Sequence, residues 1–276
     1  MTQNTEIYYF SGTGNSLSVA REIAARTEAN LIPIASLVDE VSVKPQADVV
    51  GIVFPVYYLE PPMIVVQFAK KLEVLNGKYV FVVCTYGGGT GISLRMLKRL
   101  INSRGGVLSA AYGVQMPQNA FHKLRENRQK IYLRWEKKLA LIVKITEAKG
   151  KTSPVNIWLE WIITPLHILF FKNICRKHFM KLSNLPNGLE YDEYKHAVDR
   201  SFFTNANCSG CGICSRVCPV NNIEIRDNKP VWLNHCENCL ACYNWCPNKA
   251  IEGCVTHSGY FYHHPKIQVS DMLREK

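Results

Sequence analysis

The sequence predicts two domains of different build. Residues 1–150 form a doubly wound parallel α/β sheet; residues 201–276 form a small α+β module built around cysteines; a helical hydrophobic connector at 151–200 joins them. Three observations carry this. Continuous apolar segments alternate with helical ones through the first half, the pattern of a parallel sheet covered on both faces. The first apolar segment runs straight into a small polar loop, SGTGNS at 11–16. Eight of the eleven cysteines fall in two copies of one pattern, C-x-x-C-x-x-C-x-x-x-C-P. With 276 residues and 47% hydrophobic content, the chain is long enough for two cores.

Taken in order, EIYYF at 6–10 reads as a strand, and SLSVAREIAARTEA after the loop reads as a helix with Leu17, Ala20, Ile23 and Ala24 on one face. A strand, a small polar loop and a helix N-terminus make an anion cradle: backbone N–H groups and the positive end of the helix dipole point into it, and Ser11, Thr13 and Ser16 add hydroxyls. No lysine follows the glycines and G-x-G-x-x-G is lacking, so neither a Walker A loop nor a dinucleotide fingerprint is present. An uncharged, hydroxyl-rich loop suits a monophosphate. Further strands are expected at 31–35, 47–56, 78–86 and 107–117, with helices around 61–73 and 92–103. Ligands of such sheets bind beyond the strand C-termini. The loops there, PVYYLEPP at 55–62 and CTYGGGTG at 84–91, bring aromatic rings and glycine-rich backbone to one rim, where a flat redox-active ring system fits.

The cysteine runs are Cys208, Cys211, Cys214 and Cys218 with Pro219, and Cys236, Cys239, Cys242 and Cys246 with Pro247. The pattern matches the ligand run of bacterial two-cluster ferredoxins, in which the fourth cysteine serves the other cluster. That match implies two 4Fe-4S clusters, one on Cys208, Cys211, Cys214 and Cys246, the other on Cys236, Cys239, Cys242 and Cys218. CSGCGICSRVCPVNNIEI also aligns with CENCLACYNWCPNKAIEG, an internal repeat. Structural zinc is disfavoured, since it takes four ligands per site and has no use for a third equally spaced cysteine followed by x-x-x-C-P. Disulfides are disfavoured because MTQNTEIYYF lacks the basic and apolar regions of a secretion signal, which leads us to expect a cytoplasmic protein.

The loop S-x-T-x-x-S at 11–16, with aromatic and glycine-rich loops after the third and fourth strands, resembles flavodoxin and its FMN site. The resemblance covers residues 5–118 and implies strand order 2-1-3-4-5. It implies that Ser11, Gly12, Thr13, Gly14, Asn15 and Ser16 hold the FMN phosphate. Pro55, Val56 and Tyr57 or Tyr58 would flank the isoalloxazine with Thr85, Gly87, Gly88, Gly89 and Gly91, and Tyr86 would be a stacking partner. The chain as a whole resembles the flavodoxin-ferredoxin fusion proteins of anaerobic microbes. Unlike ordinary flavodoxins, its first domain is not acidic.

Net charge is +11, and residues 119–150 hold nine basic against three acidic residues. In that segment Phe121, Leu124, Ile131, Tyr132, Trp135, Leu139, Ile142 and Val143 fall near helical spacing, which fits a lengthened fifth helix of the sheet domain or a basic docking surface for acidic ferredoxins. Nucleic-acid binding is disfavoured because no recognition motif accompanies the charge. The apolar run 157–171 is short for a span and is broken by Glu160, Pro165 and His167, so packing is preferred to membrane association. His257, His263 and His264 in the tail are expected to pack on a neighbouring surface rather than bind metal. Cys84, Cys175 and Cys254 fit no ligand pattern.

These readings converge on an electron-transfer protein that passes single electrons between two 4Fe-4S clusters and FMN and exchanges them with a redox partner such as a ferredoxin or an oxidoreductase. The alternative is a ferredoxin-dependent flavin reductase with a small-molecule acceptor: an organic compound, a quinone or dioxygen. No nicotinamide fingerprint is visible.

Overall fold

A computed structural model describes residues 4–119, 127–152, 165–253, 256 and 259–273. The chain divides into two compact units. One comprises Met1–Ser11, Asn15–Pro117 and Glu126–Thr164, and the other Gly12–Gly14, Gln118–Arg125 and Pro165–Lys276.

The first unit alternates as expected: β1 (Thr5–Tyr9), α1 (Asn15–Thr27), β2 (Asn30–Pro33), β3 (Val49–Pro55), α2 (Met63–Lys71), β4 (Tyr79–Tyr86), α3 (Ser93–Ser103), β5 (Leu108–Gln115) and α4 (Arg128–Glu147). The strands are all parallel, in the order β2-β1-β3-β4-β5. Helices α1 and α4 pack together, as do α2 and α3. The three middle strands are buried on both faces; β3 and β4 are largely apolar, and the buried Glu6 of β1 accepts from Tyr8 Oη and Gln46 N. One core lies between the sheet and α1 and α4, with Ile7, Val53, Phe81 and Val114 meeting Ile23, Trp135 and Leu139. Strand β2 is shorter than the expected 31–35. Pro33 has no N–H to extend the ladder, and a 3-10 turn at Ile34–Leu37 sends Ile34 inward instead.

The basic segment forms helix α4, which packs in the sheet unit. Its buried side chains are Ile131, Trp135, Leu139, Ile142, Val143 and Thr146, and Trp135 Nε1 donates to Glu22 Oε2 of α1 at 2.8 Å. Phe121 and Leu124 lie outside the described residues.

In the second unit, a π-helical turn at His167–Phe171 leads into α5 (Lys172–Ser183), which stops at Asn184 in the left-handed region. Helix α6 (Tyr191–His196) follows, opened by a reciprocal capping box between Glu190 and Glu193. Cys175, Phe179, Tyr191 and Tyr194 form a small buried core here, while Leu166, Leu169, Phe170 and Ile174 are exposed. Positions 157–164 of the expected apolar run lie outside the described residues. Among the described residues, no helix is long and apolar enough to cross a membrane.

The rest of the unit holds two small antiparallel sheets, β6 (Phe203–Thr204) with β9 (Ile251–Glu252) and β7 (Ile223–Arg226) with β8 (Lys229–Trp232), and two one-turn helices, α7 (Ile213–Arg216) and α8 (Ala241–Asn244). The internal repeat is visible in the backbone. Positive φ recurs at Gly210 and Asn238, at Gly212 and Leu240, and at Asn221 and Lys249, each pair 28 positions apart.

Candidate cofactor sites

The eight patterned cysteines separate into two sets around two cavities. Cys208, Cys211, Cys214 and Cys246 line one cavity. Cys218, Cys236, Cys239 and Cys242 line a second. Each set thus draws three cysteines from one run and the fourth from the other run. Among the described residues no group of three or more His, Cys, Asp or Glu converges on a single-ion position.

The local backbone explains the wrap. Gly212 and Leu240, both with positive φ, turn the chain at the N-termini of α7 and α8, so that the third cysteine of each run, Cys214 or Cys242, rides on a helical turn. The amide of Asn222 donates to Cys218 Sγ and that of Ala250 to Cys246 Sγ, both at 3.3 Å; these are again equivalent positions of the repeat. Asn238 N donates to Cys236 Sγ at 3.3 Å. Such N–H donors are what a cluster thiolate accepts, and they tune its potential. Trp232 lines the second cavity, and its indole N–H faces Cys242 as a hydrogen-bond donor that favours the thiolate. Such a donor suits a sulfur that a cluster holds as thiolate. The residues present therefore fit an iron–sulfur cluster.

Burial pushes the Cys214 thiol up to about 11 and Cys239 up to about 12, with neighbouring thiols adding to the effect. Cys236 and Cys242 are held well above the ordinary thiol value for the same first reason, burial. Without a cation these sulfurs keep their protons at neutral pH, so loading iron must release them.

The loop after β1 carries the second candidate site. In the first unit, Ser16 Oγ shares a 2.8 Å hydrogen bond with Thr85 Oγ1 at the end of β4, and Asn15 Nδ2 donates to Pro117 O at 2.9 Å. In the second unit, to which Gly12–Gly14 belong, Trp245 Nε1 donates to Gly12 O at 3.0 Å and His264 N to Thr13 O at 2.8 Å. Every peptide bond here is trans, so each N–H points opposite to its peptide carbonyl. The amides of Thr13 and Gly14 are thus turned away from Trp245 and His264. Thr13 and Ser16 are buried, and Gly14 sits at φ +91°, where a side chain is strained. The loop fits a phosphate group.

The two rim loops meet in the first unit. Val56 N donates to Thr85 O, and Ile92 N donates to Leu59 O at 2.9 Å. Tyr57 and Glu60 pair across a two-residue turn in which Tyr58 and Leu59 both have positive φ, the signature of a type I′ hairpin made without glycine or asparagine. Tyr57 is buried edge-on against Phe10, whereas Tyr58 and Tyr86 are half-buried. Tyr86 lies over Gly113 of β5, and burial raises its pKa. Of Gly87, Gly88, Gly89 and Gly91, only Gly91 has positive φ. His263 stacks on Trp245 with ring centroids 4.4 Å apart, and His264 is buried, so both pack as expected; His257 and Cys254 lie outside the described residues. Cys84 and Cys175 are buried.

Residues 203–224 match the family of 4Fe-4S binding domains. The first unit thus has the flavodoxin-like strand order, and the second carries a 4Fe-4S binding match. A curated relative, an uncharacterized protein of Methanocaldococcus jannaschii, is 46% identical over 46 residues, which are 17% of this chain and 12% of that protein; the match therefore spans only a small part of it. Among solved structures, a Megasphaera elsdenii flavodoxin is 24% identical, with 49% of this chain and 98% of that one covered at TM-score 0.33. A Streptococcus pneumonia flavodoxin is 20% identical over 50% and 99%, also at 0.33. An FMN-dependent NADH-azoreductase from Bacillus anthracis is 10% identical over 51% and 98%, at 0.40. At such scores the sheet order of the chain itself carries the fold.

Proposed function

We propose that this chain is an electron-transfer protein holding two 4Fe-4S clusters and one FMN, and that it exchanges single electrons with an external redox partner. The observation that carries the reading is the pair of crossed four-cysteine cavities within one small unit. Bound clusters supply one-electron chemistry and FMN one- or two-electron chemistry, so together they join carriers of different stoichiometry.

The chain's own residues would do the following. Cys208, Cys211, Cys214 and Cys246 hold one cluster, and Cys236, Cys239, Cys242 and Cys218 the other. The amides of Asn222, Asn238 and Ala250 stabilise the thiolates Cys218, Cys236 and Cys246. The loop 11–16 binds the FMN phosphate through its amides and hydroxyls, and Ser16 with Thr85 ties that loop to the rim. Tyr58 and Tyr86 would be the rim side chains that cover a flat ring, while Tyr57 packs against Phe10. The proposal is tested by anaerobic reduction of the holoprotein with a reduced ferredoxin while iron–sulfur and flavin absorbance are followed separately. Bleaching of both supports the relay. Turnover of a small organic acceptor far above that of free FMN would replace it with the flavin-reductase reading.

A further inference from the structure

The two cysteine cavities are chemically similar but differently placed. In the first, Cys211 is exposed and Cys208, Cys214 and Cys246 are half-buried; in the second, Cys218, Cys239 and Cys242 are buried and Cys236 is half-buried. The walls follow suit. Around the first cavity Ser209, Pro247 and Asn248 are exposed, and Ile225 is 37% exposed. Around the second, Phe202, Ile223, Leu240 and Ala241 are all buried. Only the second has an indole N–H in its wall, that of Trp232, directed at Cys242.

Resting on the proposed electron-transfer reading, we infer that the two clusters have different tasks: the Cys208–Cys211–Cys214–Cys246 site is the port at which an external carrier exchanges electrons, and the Cys218–Cys236–Cys239–Cys242 site is an interior relay whose potential Trp232 raises. Electron transfer between proteins needs a cofactor close to the surface, and the first cavity alone has an exposed cysteine. A cluster in the second cavity is shielded by apolar walls, so its charge is set by the groups around it rather than by water. There an indole N–H directed at the Cys242 side of the cavity stabilises the more negative, reduced cluster. Glu237 lines the same cavity and acts in the opposite sense, so the change on removing the donor, not the absolute potential, reports the role of Trp232.

The partner is an acidic one-electron carrier protein. Lys229 and Lys249, both exposed, stand beside Pro230 and Asn248 of the first cavity's wall, and complementary charge speeds weak redox encounters.

The test uses the full-length holoprotein. Iron content is measured first; protein without iron overturns the electron-transfer reading itself and not the assignment of tasks. In partially reduced samples, a soluble dysprosium chelate should accelerate the relaxation of one cluster's EPR signal strongly and the other's little. Trp232→Phe should lower the potential of the chelate-insensitive cluster and leave the other unchanged. Should that variant lose iron, Lys229→Glu with Lys249→Glu decides: reduction by an acidic reduced ferredoxin slows about tenfold at low salt, the difference vanishes at high salt, and reduction by dithionite is unaffected. Equal relaxation of both clusters, a Trp232→Phe shift in the chelate-sensitive cluster, or a salt-independent ferredoxin rate equal to wild type overturns the inference.

Discussion

Gly91 is where the proposed flavin rim is most sensitive to a single methyl group. It sits at φ +53°, and a Cβ built there lies 2.1 Å from Leu59 O, which already accepts a hydrogen bond from Ile92 N. Alanine in the left-handed region costs about 1–2 kcal/mol. Relieving the clash moves the Tyr58–Leu59 turn by roughly 1 Å and weakens that bond, adding about 1 kcal/mol. Gly91→Ala should therefore destabilise the first unit by roughly 2–3 kcal/mol. It should also weaken FMN binding at least about tenfold, or ~1.4 kcal/mol, because the aromatic rim no longer meets the ring. Gly89→Ala, in the same loop but with nothing within 4 Å of its Cβ, is the control and should change neither. The assays are FMN dissociation followed by flavin fluorescence, and chemical denaturation. Equal FMN affinity of the two variants would refute the assignment of loops 55–62 and 86–91 to the flavin.

Three further outcomes follow from the geometry. Cys246→Ala should cost about half of the iron and abolish the cluster shared with Cys208, Cys211 and Cys214, as judged by EPR and metal analysis; loss of the other cluster instead would overturn the crossed assignment. Removing iron with a chelator should unfold the β6–β9 and β7–β8 region, seen as fast amide exchange over 203–252, while the five-stranded sheet keeps its protection. Burial pushes the Cys84 thiol from 9 up to about 12 and, with Tyr112 adding, the Tyr79 hydroxyl from 10 up to about 12. The native state holds these protons more tightly than the unfolded chain, so stability is intact below pH 9 and falls as pH rises towards 12. Cys84 alone contributes ~1.4 kcal/mol per pH unit there, about 4 kcal/mol in all, measurable by urea denaturation across that range; stability rising with alkaline pH would contradict this burial.

The sheet and the cysteine sets were legible in the sequence because each answers to a strict local rule. Buried parallel strands must be largely apolar, and cubane ligation requires fixed cysteine spacing. The charged segment at 119–150 was legible as a helix from the spacing of Ile131, Trp135, Leu139 and Ile142, although its place against α1 was one of two readings. Other features have no local signal. The hairpin at Tyr58–Leu59 uses no turn residue, because hydrogen bonds from Tyr57, Glu60 and Ile92 hold it in place. Tyr57 and Tyr58 are adjacent aromatics in the sequence, and only the packing of Phe10 decides which one is buried. The donor at Trp232 and the unequal exposure of the two cavities arise from tertiary structure alone.

The central claim, that one chain holds two iron–sulfur clusters and a flavin, is tested most directly by anaerobic purification followed by iron, sulfide and acid-released flavin analysis. The account predicts about eight iron, about eight sulfide and about one FMN per chain. Protein that carries zinc in place of iron, or iron with no flavin at any stage of reconstitution, would contradict it.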